Sequence, residues 1–260
     1  SSTTNNSRMK RLLFFFVGFC LHWQVAAQAN LVPNPGFEDT LFCPILTGTN
    51  GFAANALKDW YTPNALAEDG FWYHYFNCYY TLNPWSAYMY EPHNGNGEIS
   101  LGIVSMDTNK RQYAQCQLKD SMLHNETYYV SYFVKNYFQN SMCVSNGTSL
   151  YFSDTAIIRI IPYSFANIQN YMLGFYDLSA SVTSFQEEII PDTNKWVKIE
   201  GVYLAHGGEQ FITLGNFKRN YETNCSYPIP TLVGKNGRYF YDDITVMHID
   251  SLEKPLVAYA

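Results

Sequence analysis

Thr127-Tyr128-Tyr129-Val130-Ser131-Tyr132-Phe133-Val134 is the stretch that decides the fold. Every position except Ser131 is aromatic or β-branched, the side chains that fit a pleated, half-buried surface and lose rotamer freedom in a helix. Outward from it, the same character returns in Glu98 to Val104, Arg111 to Leu118, Ala156 to Ile161, Trp196 to Leu204, Gln210 to Leu214 and Tyr239 to Val246. Gly, Asn and Pro punctuate the intervals, and Ala-His-Gly-Gly at 205–208 reads as a hairpin-like turn. Leu173 to Phe185 is the one ambiguous window, worth a helical turn; no other stretch keeps an apolar period of 3.6 over a helix length. Many short strands with such turns predict an all-β protein, a sandwich or a barrel.

Composition agrees. Charged residues are 15% of the 260, and aromatics are 17%, with 22 Tyr and 18 Phe. The net charge of -6, with no Lys/Arg cluster, excludes a nucleic-acid partner, because phosphate neutralisation needs cationic side chains. The length suits one large β-domain.

Met9-Lys10-Arg11 followed by the apolar run Leu12 to Leu21 reads as a secretory signal. Ala27-Gln28-Ala29 supplies a small-x-small cleavage site, so the mature chain is expected to begin at Ala29 or Asn30. The run is too short to span a bilayer, and no later segment is apolar enough to do so. The expected organisation is upstream residues and signal over 1–29, one β-domain over 30–250 and a tail over 251–260.

Export permits disulfides. Of the five cysteines beyond Cys20, Cys43 and Cys78 lie in loop-rich sequence and are the preferred pair; Cys143 with Cys225 is the second. Cys116, in a strand-like stretch, reads as a buried free thiol. No CxxC is present, so zinc ribbons and thioredoxin-like redox chemistry are not indicated.

Leu31 to Glu38 reads as a first strand turning into a loop, and residues 39 to 97 as a long irregular region rich in aromatics. If the first and last strands are neighbours, as in jelly rolls, Glu38 comes close to Asp242 and Asp243.

These features together resemble a known group. Asn30-Leu31-Val32-Pro33-Asn34-Pro35-Gly36-Phe37-Glu38 is similar to the opening of jelly-roll carbohydrate-binding modules, which are galactose-binding-like domains. Tyr239-Phe240-Tyr241-Asp242-Asp243-Ile244-Thr245-Val246 is similar to their last strand. Cys43-Pro44, Gly95-Asn96-Gly97-Glu98, Tyr128 to Tyr132 and Gly207 to Phe217 bring the match closer to a jelly-roll domain of Bacteroidetes surface proteins, of the kind found ahead of OmpA-like or gliding-associated modules. The resemblance covers about residues 30–248. It implies a jelly-roll β-sandwich of two antiparallel sheets with a long aromatic-rich loop region. The address it implies is extracellular, cell-surface or periplasmic. No anchoring module is recognised after the last strand.

Three constellations carry the chemical expectations. Glu38, Asp242 and Asp243 offer hard oxygen ligands for a structural calcium ion, of the kind related modules hold away from the sugar site. The same residues would otherwise accept backbone amides and cap a strand end. Trp72, Tyr73, Tyr75, Trp85, Tyr88 and Tyr90 offer rings for stacking on a sugar; the alternatives are a small core under the loop or a protein-binding patch. Gly207-Gly208-Glu209 carries a carboxylate with no identifiable catalytic partner, and the turn explains its glycines. GxSxG, HExxH and P-loop patterns are absent. The expected role is an exported, non-catalytic module recognising a glycan or a cell-envelope protein. The alternatives are a structural or adhesion protein that recognises protein, and a glycan-active hydrolase.

Overall fold

The computed structural model describes residues 30–43, 56–63, 72–75, 91–105, 111–136, 144–158, 181–183, 195–218, 220–226 and 236–251. Its strands are β1 (Trp60–Tyr61), β2 (Trp72–Tyr75), β3 (Gly97–Ser105), β4 (Ala114–Gln117), β5 (Thr127–Asn136), β6 (Val144–Ser145), β7 (Ser149–Ser153), β8 (Val182–Thr183), β9 (Val197–Leu204), β10 (Phe211–Gly215), β11 (Cys225–Ser226) and β12 (Asn236–His248). They form two five-stranded sheets, ordered β1-β4-β10-β7-β8 and β2-β3-β12-β5-β9, and a small β6-β11 pair. Every pairing is antiparallel. From β3 onward the long strands alternate between the sheets: β3, β5, β9 and β12 in the second, β4, β7 and β10 in the first. Each crossing closes the sandwich again, as the jelly-roll expectation requires.

The core follows from the period of two along each strand. In β5, Tyr128, Val130, Tyr132 and Val134 face inward; in β3, Ile99, Leu101 and Ile103; in β12, Tyr239 and Tyr241. Leu150 and Phe152 of β7 and Ile212 and Leu214 of β10 meet them from the first sheet. Tyr132 and Tyr241 stack with centroids 6.0 Å apart. The Tyr132 hydroxyl donates to Thr148 O (3.2 Å) and that of Tyr239 to Ser145 O (3.0 Å). Both phenols thereby bring their polar tips inside with a partner.

The expected meeting of the chain's two ends is present, but not as two paired strands. Residues 30–38 form an irregular clip on β12. Asn30 Oδ1 accepts Val246 N (2.9 Å) and Val32 N (3.1 Å), Asn30 Nδ2 donates to Ile244 O (2.8 Å), and Leu31 N donates to Val246 O (2.9 Å). The prolines at 33 and 35 explain why no ladder runs on, since neither has an N–H to donate. A second correction concerns Ala156 to Ile161. Residues 156–158 are not strand and 159–161 lie outside the described residues; the strand is Ser149–Ser153. Ile157 instead exchanges bonds with the buried Gln115 side chain, giving its N–H to Oε1 (2.9 Å) and accepting from Nε2 (3.1 Å). The ambiguous window at 173–185 is described only at 181–183, where Val182–Thr183 is β8.

Cys116 is a buried free thiol, as expected. Cys43 and Cys225 are disulfide-bonded. Cys78 and Cys143 lie outside the described residues, so the two expected pairings remain proposals.

Candidate functional site

Alternation gives the second sheet an outer face opposite the core. Along β5 it is formed by Tyr129, Ser131, Phe133 and Lys135, between the inward residues. Register then places neighbours across it. Lys135 pairs with Phe240, Phe240 with Ser100, and Ser100 with Trp72, so one row runs across four strands. The next row contains Phe133 opposite Asp242 and Glu98 opposite His74. Because Ile99 pairs with Tyr241, Glu98 and Asp242 are cross-strand neighbours between these two pairs.

Residues 91–97 lie over this face. The Glu91 carbonyl accepts the Lys135 ammonium (2.5 Å) and the Trp196 indole N–H (3.2 Å). His93 lies flat on Phe133, with centroids 3.6 Å apart and planes 18° apart, and meets Trp196 edge-on at 5.9 Å. The Lys135 ammonium stands 4.6 Å from the Trp196 ring centroid and 5.2 Å from that of Phe240, a cation–π arrangement in a dry setting. Phe133 and Trp196 are partly exposed, while Phe240, Lys135 and Glu98 are buried.

The electrostatics are unusual. Glu98 is fully buried and neither carboxylate oxygen has a hydrogen-bond partner. Burial pushes its carboxyl up to about 8, against the pull of Lys135 and with the push of Asp242 and Glu91. Burial likewise lowers the Lys135 ammonium, while Glu98, Glu91 and Asp242 pull it back up. Asp242 is also buried, yet richly bonded: Oδ2 accepts His93 N (2.9 Å) and Asn94 N (3.2 Å), and Oδ1 accepts Asp243 N (2.7 Å). Burial, then the neighbouring Asp243, raise it to about 8 despite those amides.

The expected calcium ligands Glu38, Asp242 and Asp243 lie in one neighbourhood around Gly36, but their oxygens do not stand at metal-ligand spacing. A Cβ placed on Gly36 would sit 3.3 Å from Asp243 Oδ1, 3.8 Å from Asp242 Oδ1 and 3.9 Å from Glu38 Cγ. Two left-handed residues shape the cradle, Phe37 (φ 57°) and Asp243 (φ 50°), the latter in a bulge of β12 against β5. The carboxylates, however, face protein donors. Glu38 Oε1 accepts Asn96 N (2.7 Å) and Gly97 N (2.9 Å), and Asp243 Oδ2 lies 2.6 Å from His93 Nδ1. Gly95 and Gly97 are required by this packing, since a Cβ on either would come within 2.2 Å of Glu38 Oε1 and 2.1 Å of the Phe37 carbonyl oxygen, respectively.

The expected sugar contacts fare differently. Tyr73 is fully buried, its hydroxyl donating to Phe37 O (2.9 Å), and Tyr75 packs against the core. Tyr73 therefore belongs to the interior and presents no ring to a ligand, a correction that follows from its side of β2. Trp72 takes the register position opposite Ser100, in the row of Phe240 and Lys135. Trp85, Tyr88 and Tyr90 lie outside the described residues. Glu209 is structural: its carboxylate accepts the Tyr203 hydroxyl (2.8 Å), His206 N (2.7 Å) and Gly207 N (2.8 Å), closing the turn.

Sequence reading missed Phe133, Lys135, Trp196, Phe240, Glu98 and His93. The signal for some of them was available, since the strands of Phe133 and Phe240 were legible and alternation then separates inward from outward positions, while Trp196 stands just ahead of β9. Nothing local announced that residues 91–97 would fold over them.

No protein-family model matches the chain, and no curated protein matches it. Solved structures do. The CBM22-1 xylan-binding domain of Paenibacillus barcinonensis Xyn10C is similar at 12% identity over 62% of this chain and 78% of that one, with TM-score 0.34. The CBM22-1–GH10 modules of Clostridium thermocellum endo-1,4-β-D-xylanase 10B are similar at 13% identity and TM-score 0.41, over 86% of this chain and 29% of that one. The K1 cleaved adhesin domain of Porphyromonas gingivalis Lys-gingipain is similar at 12% identity and TM-score 0.36, over 74% and 91%. Likenesses this distant transfer no ligand or activity to this chain.

Proposed function

We propose that the chain is an exported, non-catalytic recognition module that binds carbohydrate on the outer face of its second sheet. The observation that carries this reading is the half-exposed Trp196 ring at the edge of that face, fixed by its bond to the Glu91 carbonyl and lying beside Lys135 and His93. A half-exposed indole beside a few fixed polar groups suits the alternating CH and OH surface of a sugar. The Trp72 position extends the same row. Export is supported by the signal-like segment at 9–29, and no helix among the described residues is long and apolar enough to cross a membrane.

A glycan array tests this. Trp196→Ala and Trp72→Ala are expected to abolish a saccharide signal that the unaltered chain gives. Saccharide binding retained in both variants sinks the proposed surface. A pull-down that captures a defined envelope protein, with no saccharide bound, transfers the same face to protein adhesion.

Calcium at Glu38, Asp242 and Asp243 is the second part of the proposal. Its support is the approach of the Asp242 and Asp243 carboxylates to Gly36, with the Glu38 side chain beside them, and the burial of Asp242 next to Asp243. A hard cation with oxygen ligands would offset that like-charge crowding. The expected outcome is a calcium-dependent rise in melting temperature that Glu38→Ala removes; a chain freed of metal and indifferent to calcium refutes it.

A further inference from the structure

The far end of β12 carries a donor group that neither the recognition face nor the calcium proposal uses. His248 is the last residue of β12, Glu126 stands just ahead of β5, and Asp250 belongs to the 3-10 turn Ile249–Ser251. Their placement is fixed by the sheet. His248 pairs with Tyr128, two residues beyond Glu126, and the Glu126 carbonyl accepts Ala205 N (2.9 Å). The imidazole stands edge-on to the buried Tyr128 ring, at 5.3 Å and 89°. The Tyr128 hydroxyl accepts Leu123 N (2.9 Å), so the wall behind the imidazole is itself tied down.

His248 Nε2 lies 2.8 Å from Glu126 Oε2, and Nδ1 lies 3.9 Å from Asp250 Oδ2. One donor atom from each residue lies within 4.8 Å of the other two, and among the described residues this is the group at metal-ligand spacing. Zinc takes nitrogen and oxygen donors at about 2.0–2.2 Å, which puts neighbouring donors on one ion roughly 3 Å apart. The His248–Glu126 separation is already near that bite. Asp250 stands on the Nδ1 edge of the ring, and its 77% exposed side chain must swing towards the Nε2 edge to share one ion with Glu126. One imidazole with two carboxylates suits a first-row transition dication; calcium and magnesium prefer oxygen alone.

We propose that Glu126, His248 and Asp250 form a binding site for a first-row transition dication such as zinc. Its place, where β12, the approach to β5 and the turn after β12 meet, makes it a clasp at the end of the central strand pair. The competing arrangement is an imidazolium held between two carboxylates, with no ion.

Equilibrium dialysis of the full chain against zinc, after removal of metal by a chelator, separates the two. The expected result is one zinc per chain. Glu126→Gln and Asp250→Asn, both at exposed side chains, each weaken it by at least about 10-fold. His248→Gln abolishes it. His93→Ala, which removes the imidazole beside Asp243, leaves zinc affinity unchanged, and calcium does not compete. Failure to take up zinc, or uptake that all three clasp variants share with the unaltered chain, overturns the proposal. Should His248→Gln fold poorly, the two carboxylate variants decide.

Discussion

Glu98 and Asp242 stand side by side on β3 and β12, both fully buried, one without a hydrogen bond and the other accepting three backbone amides. The contrast assigns their protonation. Amide donors favour an ionised carboxylate and do nothing for a neutral one. Asp242 is thus the better seat for negative charge, and Glu98 is the better seat for a proton.

A pH dependence follows. The Glu98 carboxyl is raised from 4.5 to about 8 in the folded chain. Between those values the unfolded chain has released the proton and the folded chain keeps it, so stability falls as pH rises through the window. Glu98→Gln cannot ionise. Relative to the unaltered chain it is expected to gain about 1–3 kcal/mol on the alkaline side of the window, with little change on the acid side. Urea denaturation on both sides checks this, and an equal effect at both refutes it.

Glu209 has the opposite sign. Burial alone would raise its carboxyl, but the amides of its own residue, His206 and Gly207 and the Tyr203 hydroxyl together hold it below the usual 4.5. Its stabilisation is present above 4.5 and is lost as pH falls through the lower folded value. Glu209→Gln is expected to cost about 1–3 kcal/mol at neutral pH, because an amide group would then face the backbone donors. The gap between variant and unaltered chain should shrink in acid, and unfolding midpoints measured across pH show whether it does.

Asn30 holds the clip. Asn30→Ala removes both bonds to β12, at Val246 N and Ile244 O, together with the local bond to Val32 N. A loss of about 1–3 kcal/mol is expected. Hydrogen exchange should speed up first at the Val246 amide, whose acceptor is gone. Unchanged protection there would show that the clip does not depend on this side chain.

Cys116 should be silent to thiol reagents. Burial holds its thiol well above the ordinary 9.0, with Asp59 adding to the effect, so the reactive thiolate is scarce as well as inaccessible. Labelling of the intact chain is expected to leave Cys116 unmodified in buffer and to modify it in denaturant. Rapid labelling in buffer would contradict its burial.

Much of the sandwich was readable because its strands obey a period of two. Val130, Tyr132 and Val134 announce the core face of β5, and Tyr239 and Tyr241 that of β12. β7 was harder. Ser149-Leu150-Tyr151-Phe152-Ser153 carries only two strongly apolar inward positions, and the more apolar Ala156 to Ile158 drew the expectation away. The candidate site was less legible. The acidic trio around Gly36 is found by proximity of the chain ends, since both end motifs can be read. The outer-face platform needs the register that joins Lys135 to Phe240 and the overlay of residues 91–97, and both are tertiary facts. Tyr73 shows the limit most clearly. An aromatic run reads the same whether its rings face water or the interior, and only the pleat of β2 against β3 decides between them.

β12 lies at the centre of its sheet, between β3 and β5, and among the described strands it comes last in chain order. Until it emerges, its flanking strands lack their mutual partner, and Asn30 has no ladder to fasten to. Such long-range closure makes folding slow and nearly all-or-none in chain length. A truncation that removes residues 236–248 is therefore expected to cost the second sheet its middle and not merely its edge, leaving β3 and β5 with no strand between them.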